Sequence, residues 1–209
     1  NVIAVRVDNS LEPSARWYHP CGIYAPVNII ATNKVAIKPN GVFVKTPVVA
    51  KDKAKVLVET IIETTDHKNQ KLFLETSVID INGKLVVKKS QKINLSNQST
   101  FKAITELDVT NPQLWEPASP QLYKVINKIT KKSEVIDEVT TTFGIRTIAW
   151  KSDTGFWLNG AQTKLLGVCE HWEGGPVGGA WTKPLLRWKL GLLKEMGVNA
   201  IRTAHNPYP

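Results

Sequence analysis

From about Val35 to Arg146, apolar and polar residues alternate with a period of two, segment after segment, and this pattern constrains the chain more than any other feature. The segments are Val42-Phe43-Val44, Lys55-Val56-Leu57-Val58-Glu59, Leu72-Phe73-Leu74-Glu75-Thr76-Ser77-Val78, Leu85-Val86-Val87, Phe101-Lys102-Ala103-Ile104, Tyr123-Lys124-Val125-Ile126 and Val135-Ile136-Asp137-Glu138-Val139. Successive side chains of a strand point to opposite faces, so each segment buries one face and wets the other. Some seven such strands in roughly 110 residues fit a β-sandwich. Asn82-Gly83 is placed for a hairpin turn, since both residues tolerate positive φ. The three prolines between Asn111 and Pro120 require a loop, with Trp115 as its anchor on the sandwich.

The flanks read differently. Val2 to Val7 and Ile23 to Ala31 are two short apolar-rich strand patterns joined by a Pro- and aromatic-containing loop, and two strands alone bury no face. They resemble the end of an all-β domain. After Gly144 a strand at Phe156 to Leu158, an Asn159-Gly160 turn and a strand at Lys164 to Val168 form an expected hairpin. A Gly-rich loop, Cys169 to Trp181, leads into a helix with Thr182 as cap and Pro184 in its first turn. Leu186, Leu190, Leu193 and Met196 recur near the helical period, and Gly197 closes the helix. Val198 to Arg202 is the next strand. Strand, loop, helix and strand make one right-handed βαβ crossover with parallel strands. A (β/α)8 barrel is its natural completion and needs about 250 residues, so this stretch is the start of one. With no initiating Met and an end directly after a strand pattern, the 209 residues read as a piece of a longer protein.

Charge excludes one class of function. The net charge is +9, from 27 Lys and Arg against 18 Asp and Glu, yet the excess is spread along the chain. Nucleic-acid sites cluster their cations, often with stacking aromatics between them. Lys51-Asp52-Lys53, Lys88-Lys89 and Lys131-Lys132 instead fall at expected strand edges and turns, where Lys discourages edge pairing. No apolar run approaches the roughly 18 residues of a membrane span. Cys21 and Cys169 lack metal-ligand spacing and define no disulfide framework. Neither nucleic acid nor membrane is an expected partner, and exposed ends could pair with a second copy of the chain.

Barrel enzymes carry their chemistry at the C-terminal ends of the strands. That rule selects Glu170, His171 and Glu173 after the first strand, and Arg202, His205 and Asn206 at and after the second. Three readings compete. A metal site from His171, His205, Glu170 and Glu173 lacks any short ligand pair. A glycosidase pair made of Glu170 and Glu173 would have to straddle a sugar from a single loop. The least demanding reading makes the group a polar wall of a sugar pocket, with Arg and His hydrogen-bonding hydroxyls and keeping a distant carboxylate ionised. Against all three stands a purely structural role, in which the loop side chains satisfy backbone groups.

Phe143-Gly144-Ile145-Arg146, Gly155-Phe156-Trp157-Leu158-Asn159-Gly160, Leu165-Leu166-Gly167-Val168-Cys169-Glu170-His171 and the run Lys194 to Pro207 together resemble glycoside hydrolase family 2, the β-galactosidase and β-glucuronidase group. Asn1 to Asn9, Arg16-Trp17-Tyr18 and Gly22-Ile23-Tyr24 are similar to the end of that family's sugar-binding jelly roll. The resemblance implies a mainly β chain: trailing jelly-roll strands over 1–33, an immunoglobulin-like β-sandwich over 34–146, and the first βαβ unit of a TIM barrel over 147–209. It implies a retaining exo-β-glycosidase of β-galactosidase type acting on terminal β-linked sugars. Both catalytic residues of the family are glutamates on later barrel strands, the first within an Asn-Glu pair. This chain has no Asn-Glu pair, so no catalytic residue is expected in it and by itself it should be inactive. His171, Arg202, His205 and Asn206, with Arg16 from the preceding domain, are the substrate-binding positions the resemblance implies. The chain departs from the pattern at Trp172 and Glu173, where relatives have His and Asp, and at Ala25, where Arg is usual. No cofactor or metal is expected in this stretch, and a mono- or divalent cation elsewhere in a longer protein stays open. The alternative is a non-catalytic sandwich module that binds carbohydrate or protein.

Overall fold

The structure is a computed structural model describing residues 2–8, 10, 22–66, 71–95, 99–171 and 174–203. It divides into two compact units, Ala31–Thr163 and a second formed by Asn1–Ile30 with Lys164–Pro209.

The first unit is the sandwich. Its strands are β1 (Val35–Val49), β2 (Lys53–Thr64), β3 (Leu72–Ile79), β4 (Leu85–Ile93), β5 (Thr100–Thr110), β6 (Tyr123–Lys131) and β7 (Glu134–Phe143). One sheet has the order β1-β2-β5 and the other β4-β3-β6-β7, with every pairing antiparallel. The chain changes sheet after β2, after β4 and after β5, the Greek-key connectivity of an immunoglobulin-like sandwich. β1 carries two prolines and two register shifts, between Ile37 and Val42 and between Lys45 and Val48. Proline survives there because β1 is an edge strand, whose outer backbone groups need no ladder partner. The lysines Lys88 and Lys89 lie on the opposite edge, β4, as expected of a strand protected from further pairing.

The inward phase of each strand builds two apolar clusters. Val35, Ile37, Ile62, Leu72, Leu74, Ile93 and Ile129 form one, and Val56, Val58, Val78, Leu107, Val109, Val125 and Ile145 form part of the other. Burial of each such side chain stabilises by about 1.5–3 kcal/mol. Inward-phase polar residues Thr60, Thr76, Thr105 and Asn127 are buried in the same strands.

Asn82-Gly83 forms the expected hairpin turn between β3 and β4, and two other local expectations are corrected. In the β3–β4 turn only Gly83 has positive φ, at 83°; Asn82 keeps a negative φ. Asp80 Oδ1 accepts from the backbone N–H groups of Asn82 and Lys84, both at 2.9 Å, so an aspartate organises the turn. The hairpin partner of β9 (Gly155–Leu158) is β10 (Ala161–Gln162), reached through Asn159-Gly160 with φ of 51° and 78°. The expected strand Lys164–Val168 is displaced, and β11 spans Gly167–Glu170. On its other side β9 pairs with β8 (Ile148–Lys151), a strand whose short, largely exposed run gave little alternation to read. Finally, the described parts of the two N-terminal strand patterns form no strand. Val2 is 95% exposed and Ile29 79%, because an extended segment becomes a strand only when a ladder partner satisfies its backbone.

The hairpin is fastened to the sandwich by its turn residue. Asn159 donates through Nδ2 to the Trp115 carbonyl (3.0 Å), its Oδ1 accepts from the Thr147 N–H (3.0 Å), and its own N–H reaches the Thr147 carbonyl. Trp115 N–H donates to the Ile145 carbonyl at 2.8 Å, and the Arg146 guanidinium lies 5.0 Å from its ring centroid. Trp115 is therefore the loop anchor that its setting among prolines predicted.

Candidate functional site

The candidate site is the C-terminal end of a parallel strand pair in the second unit. β11 pairs in register with β12 (Ala200–Thr203), matching Gly167 with Ala200, Cys169 with Arg202 and Glu170 with Thr203. Between them run a 3-10 turn (Gly175–Val177) and helix α1 (Lys183–Glu195). The helix starts where its sequence signals place it. Thr182 Oγ1 accepts from the Leu185 N–H, Pro184 occupies the first turn, and Gly197, at φ 84°, ends the last turn by donating to the Lys194 carbonyl.

Asn199 sets the start of the strand pair. Its Oδ1 accepts from the Leu166 N–H at 2.8 Å, its Nδ2 donates to the Lys164 carbonyl at 2.9 Å, and its backbone N–H reaches the Leu166 carbonyl at 3.0 Å. An asparagine amide can pair with a backbone as a peptide does, so it extends the ladder by one step. At the other end Arg202 Nη1 approaches Cys169 Sγ at 3.8 Å, across the same register pair. Register partners share a face, so Cys169 and Arg202 lie on one face while Glu170 and Thr203 occupy the other.

Glu170 is spoken for. Its carboxylate forms an ion pair with Lys189 of α1, and both side chains are largely buried. The Lys189 ammonium also stands 4.8 Å from the Trp181 ring centroid. The reading that paired Glu170 with Glu173 as catalytic carboxylates therefore loses Glu170, which faces a helix; Glu173 lies outside the described residues. His171 follows directly on Glu170, is half-buried and makes an interaction of its own. Arg202 is exposed, and among the described residues its side chain hydrogen-bonds only to the thiol sulfur, a weak acceptor. His171 and Arg202 thus come to the same end of the pair, whereas Arg16, His205 and Asn206 lie outside the described residues. Among the described residues no three His, Cys, Asp or Glu side chains are grouped to hold a metal ion.

Lys189 and Asn199 were not singled out from sequence. Lys189 carried a signal: it lies in the half-buried stripe of α1 with Leu186 and Leu193, where a charge needs a partner.

Residues 35–146 match the family model of glycosyl hydrolases family 2, and residues 150–209 match the TIM barrel domain of the same family. A Formosa agariphila protein that carries beta-glucuronidase as a provisional name is 54% identical over all 209 residues, which cover 19% of its length. The β-galactosidase BoGH2A of Bacteroides ovatus is 36% identical over 99% of this chain and 24% of its own. A crystal structure of a glycosyl hydrolase family 2 member from Bacteroides cellulosilyticus superposes with a TM-score of 0.89 at 37% identity, covering 96% of this chain and 28% of that one. The chain thus spans about a fifth to a quarter of the length of these curated relatives. With more than half of its residues in the family model and the sandwich and strand–helix–strand unit in the expected order, the chain belongs to glycoside hydrolase family 2.

Proposed function

We propose that this chain supplies one wall of the sugar pocket of a retaining exo-β-glycosidase of β-galactosidase type. The observation that carries the proposal is the parallel β11–β12 register, which brings His171 and Arg202 to one strand end in a chain of this family. A retaining glycosidase uses an acid to protonate the leaving oxygen and a carboxylate to attack the anomeric carbon, with the two carboxyl groups about 5–5.5 Å apart. Nothing at the described strand ends has that form, since Glu170 is held by Lys189. Arg202 offers N–H donors that can bind sugar hydroxyls and favour the ionised form of a nearby carboxylate. The two catalytic glutamates belong to later barrel strands. Relatives carry both β-glucuronidase and β-galactosidase names, which makes the sugar the part to test first.

The experiment is a pair of assays with chromogenic β-galactoside and β-glucuronide. The 209-residue chain should turn over neither substrate. A longer form that includes the later barrel strands should hydrolyse the β-galactoside, and should lose that activity with Arg202→Ala. Hydrolysis by the 209-residue chain that Glu170→Gln abolishes would overturn the placement of the catalytic pair. Preference of the longer form for the glucuronide would overturn the galactosidase assignment.

A further inference from the structure

We infer that Glu170 and Lys189 are positioning residues for His171, joined through Trp181 in a clasp that holds the β11–α1 loop from its helix side. This rests on the pocket reading above for what His171 does, but the clasp itself is a matter of geometry. The Glu170 carboxylate is 13% exposed and its partner ammonium 28%. A carboxylate withdrawn that far from water needs a counter-charge, and removing one partner strands the other. The same ammonium faces the ring of Trp181, which is 9% exposed and directly precedes the helix cap Thr182. One cation therefore ties together the end of β11, the last residue of the loop and the second turn of α1.

The loop in between is built to close. Gly174 N–H donates to the Gly178 carbonyl at 2.7 Å. A side chain at Gly174 would come within 2.6 Å of that oxygen and 3.3 Å of Trp181 Cε2, so the turn and the indole pack without room for a methyl group. Strand alternation then gives the clasp its consequence. Glu170 is drawn to the helix side, Cys169 lies on the opposite face with Arg202, and His171 is two residues on from Cys169. Fixing Glu170 fixes the direction in which the chain leaves β11, and with it the place of the His171 ring.

The test uses the 209-residue chain with 15N-labelled histidine. The His171 ring signals are assigned by their loss in His171→Gln, and the tautomer populations of the neutral ring are read by NMR. Lys189→Met keeps the apolar stem but removes the ammonium. It should alter the tautomer populations, because a Glu170 released from the helix no longer sets the neighbours that the imidazole nitrogens meet. Glu170→Gln should likewise alter the tautomers, and Lys189→Arg should keep those of the parent. Should Lys189→Met unfold α1 by far-ultraviolet circular dichroism, Glu170→Gln and Lys189→Arg decide the matter. Unchanged His171 tautomers in variants that retain the helix would overturn the proposal. Activity of a longer form tests the glycosidase reading separately, and its absence would leave the NMR outcome standing.

Discussion

Thr76 Oγ1 donates a 2.7 Å hydrogen bond to Asn127 Oδ1, its register partner across β3 and β6, with both side chains wholly out of water. Thr105 Oγ1, from the other sheet, stands 3.3 Å from Thr76 Oγ1 and accepts from Gln91 Nε2 at 2.7 Å. Since the Thr76 hydrogen is committed to Asn127, Thr105 must donate to Thr76. The bonds therefore run in one direction, from Gln91 through Thr105 and Thr76 to Asn127, and they cross from one sheet of the sandwich to the other and back. Thr60 Oγ1 and Asn127 Nδ2 are buried with no hydrogen-bond partner among the described residues.

Breaking this chain in its middle should cost more than removing its end. Thr76→Val deprives Thr105 of its acceptor and Asn127 of its donor, and a stranded buried polar group costs about 1–3 kcal/mol. The double variant Thr76→Val with Asn127→Leu removes the stranded amide altogether, so its loss of stability should fall short of the sum of the two singles. Urea denaturation midpoints at constant m-value measure the coupling. Strict additivity would show that Thr76 and Asn127 act independently.

Gly144 is required by Trp115. A methyl group at Gly144 would lie 2.6 Å from Trp115 Cβ and 2.7 Å from Cγ, and neither atom is the flexible end of a side chain. Gly144→Ala should displace the indole from the sandwich and weaken the Asn159 bond to the Trp115 carbonyl, costing about 1–3 kcal/mol as overpacking does. A lowered melting temperature together with a shifted tryptophan emission is the expected result. A variant with the parent's melting temperature would mean that the loop yields freely.

Asn199 should control the start of the parallel pair. Asn199→Ala removes its two side-chain hydrogen bonds to the backbone at Lys164 and Leu166, each contributing about 1 kcal/mol. Hydrogen exchange of the Gly167 to Glu170 amides should quicken while that of β2, β3 and β6 stays unchanged. Equal protection in the parent and in Asn199→Ala would place the stability of the pair elsewhere.

What the sequence disclosed follows from how each feature is encoded. The sandwich strands were legible where a period of two runs through them, most plainly in β2, β5 and β6. The polar layer was legible only by phase: Thr60, Thr76, Thr105 and Asn127 each occupy an inward position between apolar inward neighbours, but their partners lie on other strands. α1 was legible from its cap, proline and closing glycine, which act locally. The hairpin register was misread because Lys164 to Leu166 are as apolar as a strand, yet their backbone pairs with Asn199, far along the chain. At the candidate site the strand-end rule found His171 and Arg202, while the neutralisation of Glu170 depended on a helix residue that no local pattern connects to it.

Glu59 gives the sandwich a pH dependence whose sign can be stated. On the outer face of the β1-β2-β5 sheet its carboxylate accepts from Lys102 Nζ at 2.5 Å and Lys45 Nζ at 2.7 Å. These bonds, that from Lys102 foremost, lower its pKa from the ordinary 4.5 to about 2. A folded-state value below the unfolded one means that the pair stabilises the fold above about pH 4.5, and that this contribution is lost as the pH falls towards 2. Glu59→Gln should therefore be less stable than the parent at neutral pH, with the difference closing between pH 4.5 and 2. Raising the salt towards 1 M should shrink it, since the cross-strand lysines are about half exposed. In a 13C carboxyl titration Lys102→Met should raise the Glu59 midpoint more than Lys45→Met does. A stability difference that stays constant from pH 7 to pH 2 would refute the assignment.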